Sequence, residues 1–504
     1  MTTAALRTTA ALKPLKPDAF GHWQAHHLLR RAGFGGSPDQ VRLLVEWGLD
    51  RSVDHLINFG EVPIEPISAD DFRSDIMRAP TPEERLAFRQ AQQAQDEVTL
   101  ERLQRLRQER EQQDRRQMRT MQQWWLKRMI ETPRPLEEKM TLFYHGHFAT
   151  GYRTIENSYH MFLQNQTFRK HAVGNFADLC FQVIRDPAML AYLDNNESHQ
   201  RQPNENLARE LMELFTLGEG NGYTENDIKE GARALTGYSF DGNAFLFRKD
   251  FHDEGQKQIF GKRGMFNGDD FVKMILGRTY CSEFLSLKLY RFFVNDLPGE
   301  VEGAARTFIL DLAKLMRSVR YEIAPVLGSL FRSAHFYDES NMASQIKSPA
   351  QLVVEAVRSL KTPVVDLNIL VDALDLMGQN IFFPPSVKGW DGGRSWINTS
   401  TLFVRQNLLT HLLTGRLPSG VGGSSMRSSY DAMHLLSHLD KKDGEYGLED
   451  AVNFLLKSCL GPKPLEARRQ ALLDFAGANG GRVSNELVVG LLCLITAMPE
   501  YQLC

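Results

Sequence analysis

One segment constrains the fold of this chain more than any other, and its sequence is PNENLARELMELFTLGEGNGYTENDIKEGARALTGY, from Pro203 to Tyr238. Asn204 can cap a helix that runs to about Leu217, where Gly218 ends it. The apolar positions of this helix fall on two sides: Leu207, Leu211, Leu214 and Phe215 on one, and Ala208 and Met212 on the other. A helix with two apolar sides is predicted to pack against neighbours over most of its surface.

A narrow polar stripe separates the two apolar sides of the same helix. Asn206, Arg209, Glu210 and Glu213 are three or four residues apart, which makes them neighbours on one helical face. A buried charge without a partner is very costly, so these groups must pair with one another or bind something else. Two interpretations stay open: a functional site, or an ion-pair network in which Arg209 contacts Glu213 or Glu205.

Helical patterns continue through most of the chain and predict a mostly α-helical protein with one small β-hairpin excursion. The excursion lies in 239–264, where two short segments flank the sequence FHDEG. Residues 1–18 lack periodicity and are predicted to be disordered, and 418–429 are rich in glycine and serine, which is typical of a linker. We therefore expect a main helical domain over 19–417 and a C-terminal helical region, 430–504, that packs on it.

A long charged segment, 82–125, is predicted to form a protruding helical arm. Its sequence is rich in glutamate, glutamine and arginine, and its apolar positions are sparse. Such a segment is most often solvated, either as a single arm or as one face of an antiparallel helical hairpin. The alternative is an arm that binds a partner or a second copy of the chain.

Composition and charge are those of an ordinary soluble globular protein. The chain has 504 residues, of which 42% are hydrophobic and 24% charged, and its net charge of −3 gives no electrostatic reason to expect nucleic-acid binding. The five cysteines are far apart, which argues against a disulfide framework and a cysteine-based zinc site. No apolar run reaches the about 18 residues of a membrane helix, and no signal peptide is evident, so we expect a cytoplasmic location.

The central segment resembles the motif of a bacterial family, the domain-of-unknown-function 1800 family, in which PNEN-ARELMELFTLG is followed by YTE-D and ARALTG. Further similar pieces cover nearly the whole chain: HHLLRRAGFG, FYHGHFAT, DPAMLAYLD, FHDEGQK, KSPAQLVVEAVR and MGQNIFFPPSVKGWDGGRSWINTSTL. The resemblance implies no settled activity. Many members carry export signals, which implies a periplasmic or exported location if such a signal was removed or is supplied by a partner. Members are often encoded beside a sulfatase-like protein of the domain-of-unknown-function 1501 family, which implies a candidate partner.

Histidine and acidic residues at three places in the chain predict a divalent-metal site. His145 and His147 are two apart in FYHGHFA, His252 and Asp253 are adjacent in FHDEG, and Glu213 lies on the polar stripe. If these segments approach the central helix, neutral imidazoles and ionised carboxylates can hold iron, manganese, zinc or copper. The HxH spacing is not specific, because residues two apart do not share a face of a regular helix. The alternative is one histidine in the core and one at the surface.

Other polar residues of this constellation are assigned to chemistry and to substrate binding. The predicted catalytic residues are Arg209, Glu210 and Lys388, and the predicted substrate-binding residues are Asn204, Glu205 and Trp390. Lys388 and Trp390 belong to a long loop, 377–393, whose proline, glycine and tryptophan residues predict an ordered cover over the site. The chain contains none of the familiar signatures HExxH, P-loop, GxSxG or Rossmann.

Two basic clusters stand outside this constellation. Near the start of the chain, histidines precede Arg30 and Arg31 on one helix, which is either an interfacial helix or one that points a side chain into a site. Further on, Lys288 and Arg291 share a helical face with Phe292 and can point inward. Both clusters therefore lie on helices that can line a site.

From the sequence we expect a metal-dependent enzyme of an envelope- or polymer-related process. Its reaction would be hydrolytic, with a metal-activated water, or oxidative, at iron or copper. The alternative is a non-catalytic scaffold that binds the sulfatase-like protein through 82–125. Metal analysis of the purified protein would separate the two hypotheses.

Overall fold

The computed structural model describes residues 10–64, 72–364, 366–416, 430–461 and 466–504, and these residues are mostly helical. Within these ranges the chain forms 21 α-helices and three antiparallel two-stranded sheets. The predicted fold class is confirmed, and the predicted β excursion contains two hairpins rather than one. In the described part of the chain, no helix has both the length and the apolar character needed to cross a membrane.

The chain joins the fold earlier than the sequence predicts. Leu12 is buried, and the amide of Leu15 donates to the carbonyl of Arg332 at 2.8 Å. These contacts tie residues 10–18 to the core, so this part of the predicted disordered segment is ordered. Residues 1–9 lie outside the described part of the chain. The first two helices follow as α1, His22–Arg31, and α2, Pro38–Ile57, the second of which is capped by Ser37.

The charged segment forms an antiparallel helical hairpin. Its two helices are α3, Pro82–Ala94, and α4, Glu97–Glu131. They are joined at Gln95, whose φ of 54° turns the chain back on itself. Glu84 of α3 pairs with Arg110 of α4 at 2.7 Å, so the base of α3 lies beside the middle of α4.

The hairpin reaches the core sooner than the predicted boundary at residue 125. Asp114 is buried, and it accepts hydrogen bonds from the Tyr152 hydroxyl at 2.8 Å and the Ser158 amide at 3.1 Å. Beyond this point α4 buries methionine and tryptophan side chains against the protein. The protruding part is therefore 82–113 rather than 82–125.

A buried ion cluster connects the end of the hairpin to the helices that follow it. The carboxylate of Glu138 is completely buried and accepts hydrogen bonds from Arg128, from Arg169 at 2.8 Å and from the indole of Trp125 at 2.9 Å. Burial raises the pKa of Glu138, but Arg169 and Arg128 outweigh it and hold this pKa below its usual value. The cluster joins α4 to α5 and α7. The five helices that follow the hairpin are α5, Pro135–His147; α6, Tyr152–Ile155; α7, Ser158–Lys170; α8, Phe176–Val183; and α9, Pro187–Tyr192.

The central helix has the predicted buried sides and one feature that the sequence does not indicate. It begins as α10, Asn206–Glu210, and continues as a π-helical turn, Leu211–Thr216, before Gly218 ends it with a φ of 85°. Such wide turns are rare and frequently lie at functional sites. The fully buried side chains are Leu207, Ala208, Leu211, Met212 and Phe215. The next helix, α11, Glu225–Leu235, starts with a capping box between Thr224 and Asp227.

Two small hairpins and a series of helices complete the main part of the chain. The hairpins pair β1, Tyr238–Asp241, with β2, Ala244–Phe247, and β3, Lys257–Ile259, with β4, Lys262–Gly264. The helices are α12, Gly268–Leu276; α13, Thr279–Phe293; α14, Gly303–Ser318; α15, Ile323–Arg332; α16, Pro349–Leu360; α17, Leu367–Leu376; and α18, Thr399–Thr414.

The C-terminal region packs on these helices through backbone contacts. The amide of Lys347 donates to the carbonyl of Gln502, and the amide of Cys504 to that of Gln345, both at 2.8 Å. The region contains β5, Lys441–Lys442; β6, Glu445–Tyr446; α19, Leu448–Cys459; α20, Glu466–Ala478; and α21, Asn485–Thr496. The linker predicted at 418–429 lies outside the described residues.

Candidate functional site

Arg209 lies at the centre of an ion-pair network on the polar stripe. Its guanidinium pairs with Glu205 at 3.1 Å, with Glu213 at 3.3 Å and with Glu225 of α11 at 2.9 Å. The hydrogen bond to Glu225 contributes most to a raised pKa of Arg209. The arrangement matches the ion-pair interpretation of these residues, although the network is half-exposed rather than enclosed.

Two neighbours of this network have different roles. The side chain of Asn204 accepts from the amide of Asn206 at 2.9 Å, so it holds the entry of α10. Glu210 differs, because its Oε2 atom is buried and has no hydrogen-bond partner among the described residues. Burial and the charge of Glu213 raise the pKa of Glu210.

The 377–393 loop packs directly over the HGH sequence of α5. Gly389 has a φ of 79°, and a Cβ atom there would lie 2.3 Å from the carbonyl oxygen of Gly146, so only glycine allows this approach. The ring of Trp390 lies 5.5 Å from that of His145. Lys388 pairs with Glu219, just beyond the central helix, at 2.9 Å. The loop therefore bridges α5 and the end of the central helix.

His145 and His147 make contacts with different parts of the protein. The Nε2 atom of His145 accepts from the amide of Phe382 at 2.9 Å, whereas Nε2–H of His147 donates to the carbonyl of Phe215 at 2.8 Å. Burial lowers the pKa of each to about 3, so both imidazoles are neutral. The remaining nitrogen of His147, Nδ1, is buried without a hydrogen-bond partner in the described structure.

The other two predicted ligands anchor the segment between the small hairpins. Nδ1–H of His252 donates to the carbonyl of Thr236 at 2.8 Å, and Asp253 pairs with Arg233 of α11 at 2.7 Å. No group of three or more His, Cys, Asp or Glu side chains in the described ranges could hold a metal ion. The structure thus does not assemble the metal site predicted from His145, His147, Glu213, His252 and Asp253, because these residues lie on separate elements and make separate contacts.

A cleft of about 280 Å³ lies beside the HGH sequence, between α5, α13, the 377–393 loop and the end of the C-terminal region. Its wall is strongly basic. The lining cations are Arg31, Lys139, Lys288, Arg291 and Lys388, and the lining acids are Asp296 and Asp391. Trp390 and His147 also line it, so the cleft joins the predicted loop and one predicted histidine to cations from elsewhere in the chain.

Arg31 and Lys139 are buried in this wall without a carboxylate partner. Arg31 donates to the backbone carbonyls of Phe293 at 2.9 Å and Phe292 at 2.7 Å, and Lys139 donates to the side-chain oxygen of Gln351. The structure describes no ion pair for either cation. Burial, followed by the charge of Arg31, lowers the pKa of Lys139 to about 7.

A carboxylate whose charge acts on Lys139 is already shared with other cations. Glu355 is buried and pairs with Arg30 at 2.9 Å and with Lys347 at 2.8 Å. The charge of Glu355 is therefore balanced by Arg30 and Lys347, and the positive charge of Arg31 and Lys139 remains at the cleft wall. An unpaired buried cation is unfavourable, so such a wall is suited to an anion from outside the chain.

The sequence indicated some of this cleft and missed one of its two most deeply buried cations. Arg31, Lys288 and Arg291 lie on the helices expected to point side chains inward, and all three line the cleft. Lys139 was not predicted. Its signal is a single lysine within the helix KMTLFYHGH, where the surrounding side chains are almost all buried.

Comparison with known proteins identifies a family but no activity. No curated protein and no solved structure matches the chain. A family model described as "Protein of unknown function (DUF1800)" matches residues 27–503, which include the central helix, the 377–393 loop and every residue of the cleft wall except Cys504. The chain therefore belongs to the DUF1800 family.

Proposed function

We propose that this protein binds a small organic anion in the basic cleft and acts on it there. The observation that carries the proposal is the excess of positive charge in the wall, where Arg31, Lys139 and Lys288 have no ion pair in the described structure. A bound carboxylate or phosphate would replace the water lost on burial with charge-assisted hydrogen bonds, which are among the stronger polar contacts in proteins.

The other groups of the wall narrow the class of ligand. With Nε2–H of His147 directed at a backbone carbonyl, Nδ1 carries a lone pair that can accept a hydrogen bond. The rings of Trp390 and Phe292 supply apolar surface. An organic anion with a polar donor group fits this lining better than a simple inorganic ion does.

Two of the predicted catalytic groups remain part of the proposal. Glu210 does not line the cleft, but it interacts with the charge of Lys388, which does. We assign Glu210, whose pKa is raised, as a proton-exchanging group that acts beside the cleft. The expected hydrolytic or oxidative reaction at a divalent metal has no ligand set in the described residues, so the proposal rests on anion recognition instead.

Calorimetric titration tests the proposal. Malonate and inorganic phosphate are titrated into the whole protein at constant ionic strength, and we expect one saturable site. Lys288→Gln should weaken binding about tenfold or more, since a hydrogen bond to a charged group contributes about 1.5–3 kcal/mol. Lys273→Gln is the matched control, because Lys273 is exposed on α12.

The titration has two refuting outcomes. The first is the absence of saturable binding for both anions. The second is equal affinity in the Lys288→Gln and Lys273→Gln proteins, which would mean that any binding is a general effect of surface charge.

A second candidate function is the scaffold role, and one observation favours it. The hairpin carries apolar side chains in water: Leu86, Phe88 and Leu106 are 49%, 48% and 43% exposed. Exposed apolar groups on an otherwise charged helical pair suit contact with another protein. We propose the sulfatase-like protein as that partner, and co-purification with the full chain, compared with a hairpin-deleted chain, tests it.

A further inference from the structure

Lys139 has the surroundings of a reactive amine rather than of a structural cation. It lies in the middle of α5, is 5% exposed, and lines the cleft. Its Nζ atom donates to the side-chain oxygen of Gln351. The rings of Phe34 and Phe292 lie 4.9 Å and 5.5 Å from Nζ, so its near neighbours are mainly apolar.

The charges around this amine favour its neutral form. Arg31 of α1 faces it and lowers its pKa, in addition to the larger effect of burial. Glu355 of α16 and Cys504 raise the pKa of Lys139, but neither forms an ion pair with the amine. Glu355 instead forms ion pairs with Arg30 and Lys347. A lysine desolvated beside another cation is activated as a nucleophile, because its unprotonated form becomes available near neutral pH.

Lys347 provides an internal comparison. It is as deeply buried as Lys139, and burial lowers its pKa to about 8. However, it forms a 2.8 Å ion pair with Glu355, which holds it as a cation in the protein interior. Two buried lysines in one region therefore differ in the feature that decides reactivity, a carboxylate partner.

We propose that Lys139 forms an imine with the carbonyl carbon of a small oxo acid whose carboxylate is bound by the other cations of the cleft. The proposal rests on the proposed function, since the anion site brings the ligand to the amine. The lone pair of Nζ forms the new bond to the carbonyl carbon. Both amine hydrogens then leave with the carbonyl oxygen as water, so atoms and charge balance.

The substrate class follows from the position of the groups. A carboxylate near Arg31 or Lys288 and a carbonyl near Lys139 can belong to one molecule of a few carbon atoms, which the cleft of about 280 Å³ can hold. Imine formation withdraws electrons from the adjacent carbon, and the cations of the wall favour the negative charge that develops on a reacting oxo acid. Two-oxo acids and aldehyde acids meet these conditions.

Reductive trapping tests the proposal with the whole protein. Glyoxylate is the probe, and sodium cyanoborohydride delivers hydride to the imine carbon while solvent supplies the proton to nitrogen. Peptide mapping should find a carboxymethyl group on Lys139. Because the pKa of Lys139 is about 7, the trapping rate should reach half its maximum near that pH, far below the value for an exposed lysine.

Two comparisons isolate the role of the anion. Glycolaldehyde, which has the carbonyl group but no carboxylate, should react at least about tenfold more slowly, since it lacks the charge-assisted contacts. Malonate should protect Lys139 from glyoxylate. Lys139→Arg should abolish the label, and circular dichroism checks that the fold is unchanged. If that variant does not fold, the peptide map of the wild-type protein still identifies which lysine carries the label.

The outcomes separate this inference from the proposed function. Labelling of Lys288, Lys347 or Lys388 in place of Lys139 would overturn the imine proposal. So would saturable malonate binding without any label on Lys139, and in that case the anion site would stand. If neither malonate binding nor trapping occurs, both proposals fail.

Discussion

Replacing Lys139 with methionine should change how the stability of the protein depends on pH. Methionine has a similar length and no charge, so the variant keeps most of the packing between Phe34 and Phe292 and removes the amine. Wild type and variant then differ by the titration of a single group. We compare the free energy of unfolding of the two proteins as the pH rises.

The magnitude follows from the two pKa values of this lysine. It titrates at 10.5 in a solvated chain and at about 7 in the folded protein, where burial and Arg31 disfavour the charged form. Between these values the unfolded chain binds more protons than the folded protein, so the free energy of unfolding of wild type rises by up to about 1.4 kcal/mol per pH unit. From pH 7 to pH 9 the rise is about 2.3 kcal/mol, because the folded-state amine is still half protonated at pH 7. Well below pH 7 the rise vanishes, since both states are protonated.

Urea unfolding at about pH 6, 7, 8 and 9 measures this difference for wild type and Lys139→Met. The variant should be the more stable of the two at low pH and lose that advantage as the pH rises. Lys347 titrates in both proteins, so its contribution cancels. A difference that stays constant across the range, within about 0.5 kcal/mol, would refute the argument that a buried unpaired amine titrates near neutrality.

Two further predictions concern stability. Glu138→Gln should lower the free energy of unfolding by about 3–5 kcal/mol, because it removes the negative charge that pairs with the buried Arg128 and Arg169. A loss below about 1 kcal/mol in urea unfolding would contradict this prediction. Deleting 85–109 and joining the ends with a short glycine linker should keep cooperative thermal unfolding, since the ends meet at the Glu84–Arg110 pair. A deletion extended through Asp114 should destabilise the protein strongly, and equal midpoints for the two deletions would argue against the hairpin boundary.

Much of the local structure follows from the sequence, because it depends on residues within one or two helical turns. The capping boxes at Ser37 and at Thr224, the buried sides of the central helix and the charged hairpin are all set by spacings of three or four residues. That the 377–393 loop, which lines the cleft, is ordered was likewise predictable from its own composition. The π-helical turn at Leu211–Thr216 was not, since no spacing in that segment distinguishes it from an α-helix.

The assembly of the site depended on contacts between residues far apart in the chain. Arg31 reaches the carbonyl of Phe293 across 262 residues, and the basic cleft exists because α1, α5 and α13 meet there. The same packing turned His145 toward Phe382 and His147 toward Phe215, which separated a pair that the sequence placed in one metal site. Sequence spacing determines which side chains share a face of one helix. Which faces meet, and whether a buried charge finds a partner, is decided only when the helices pack.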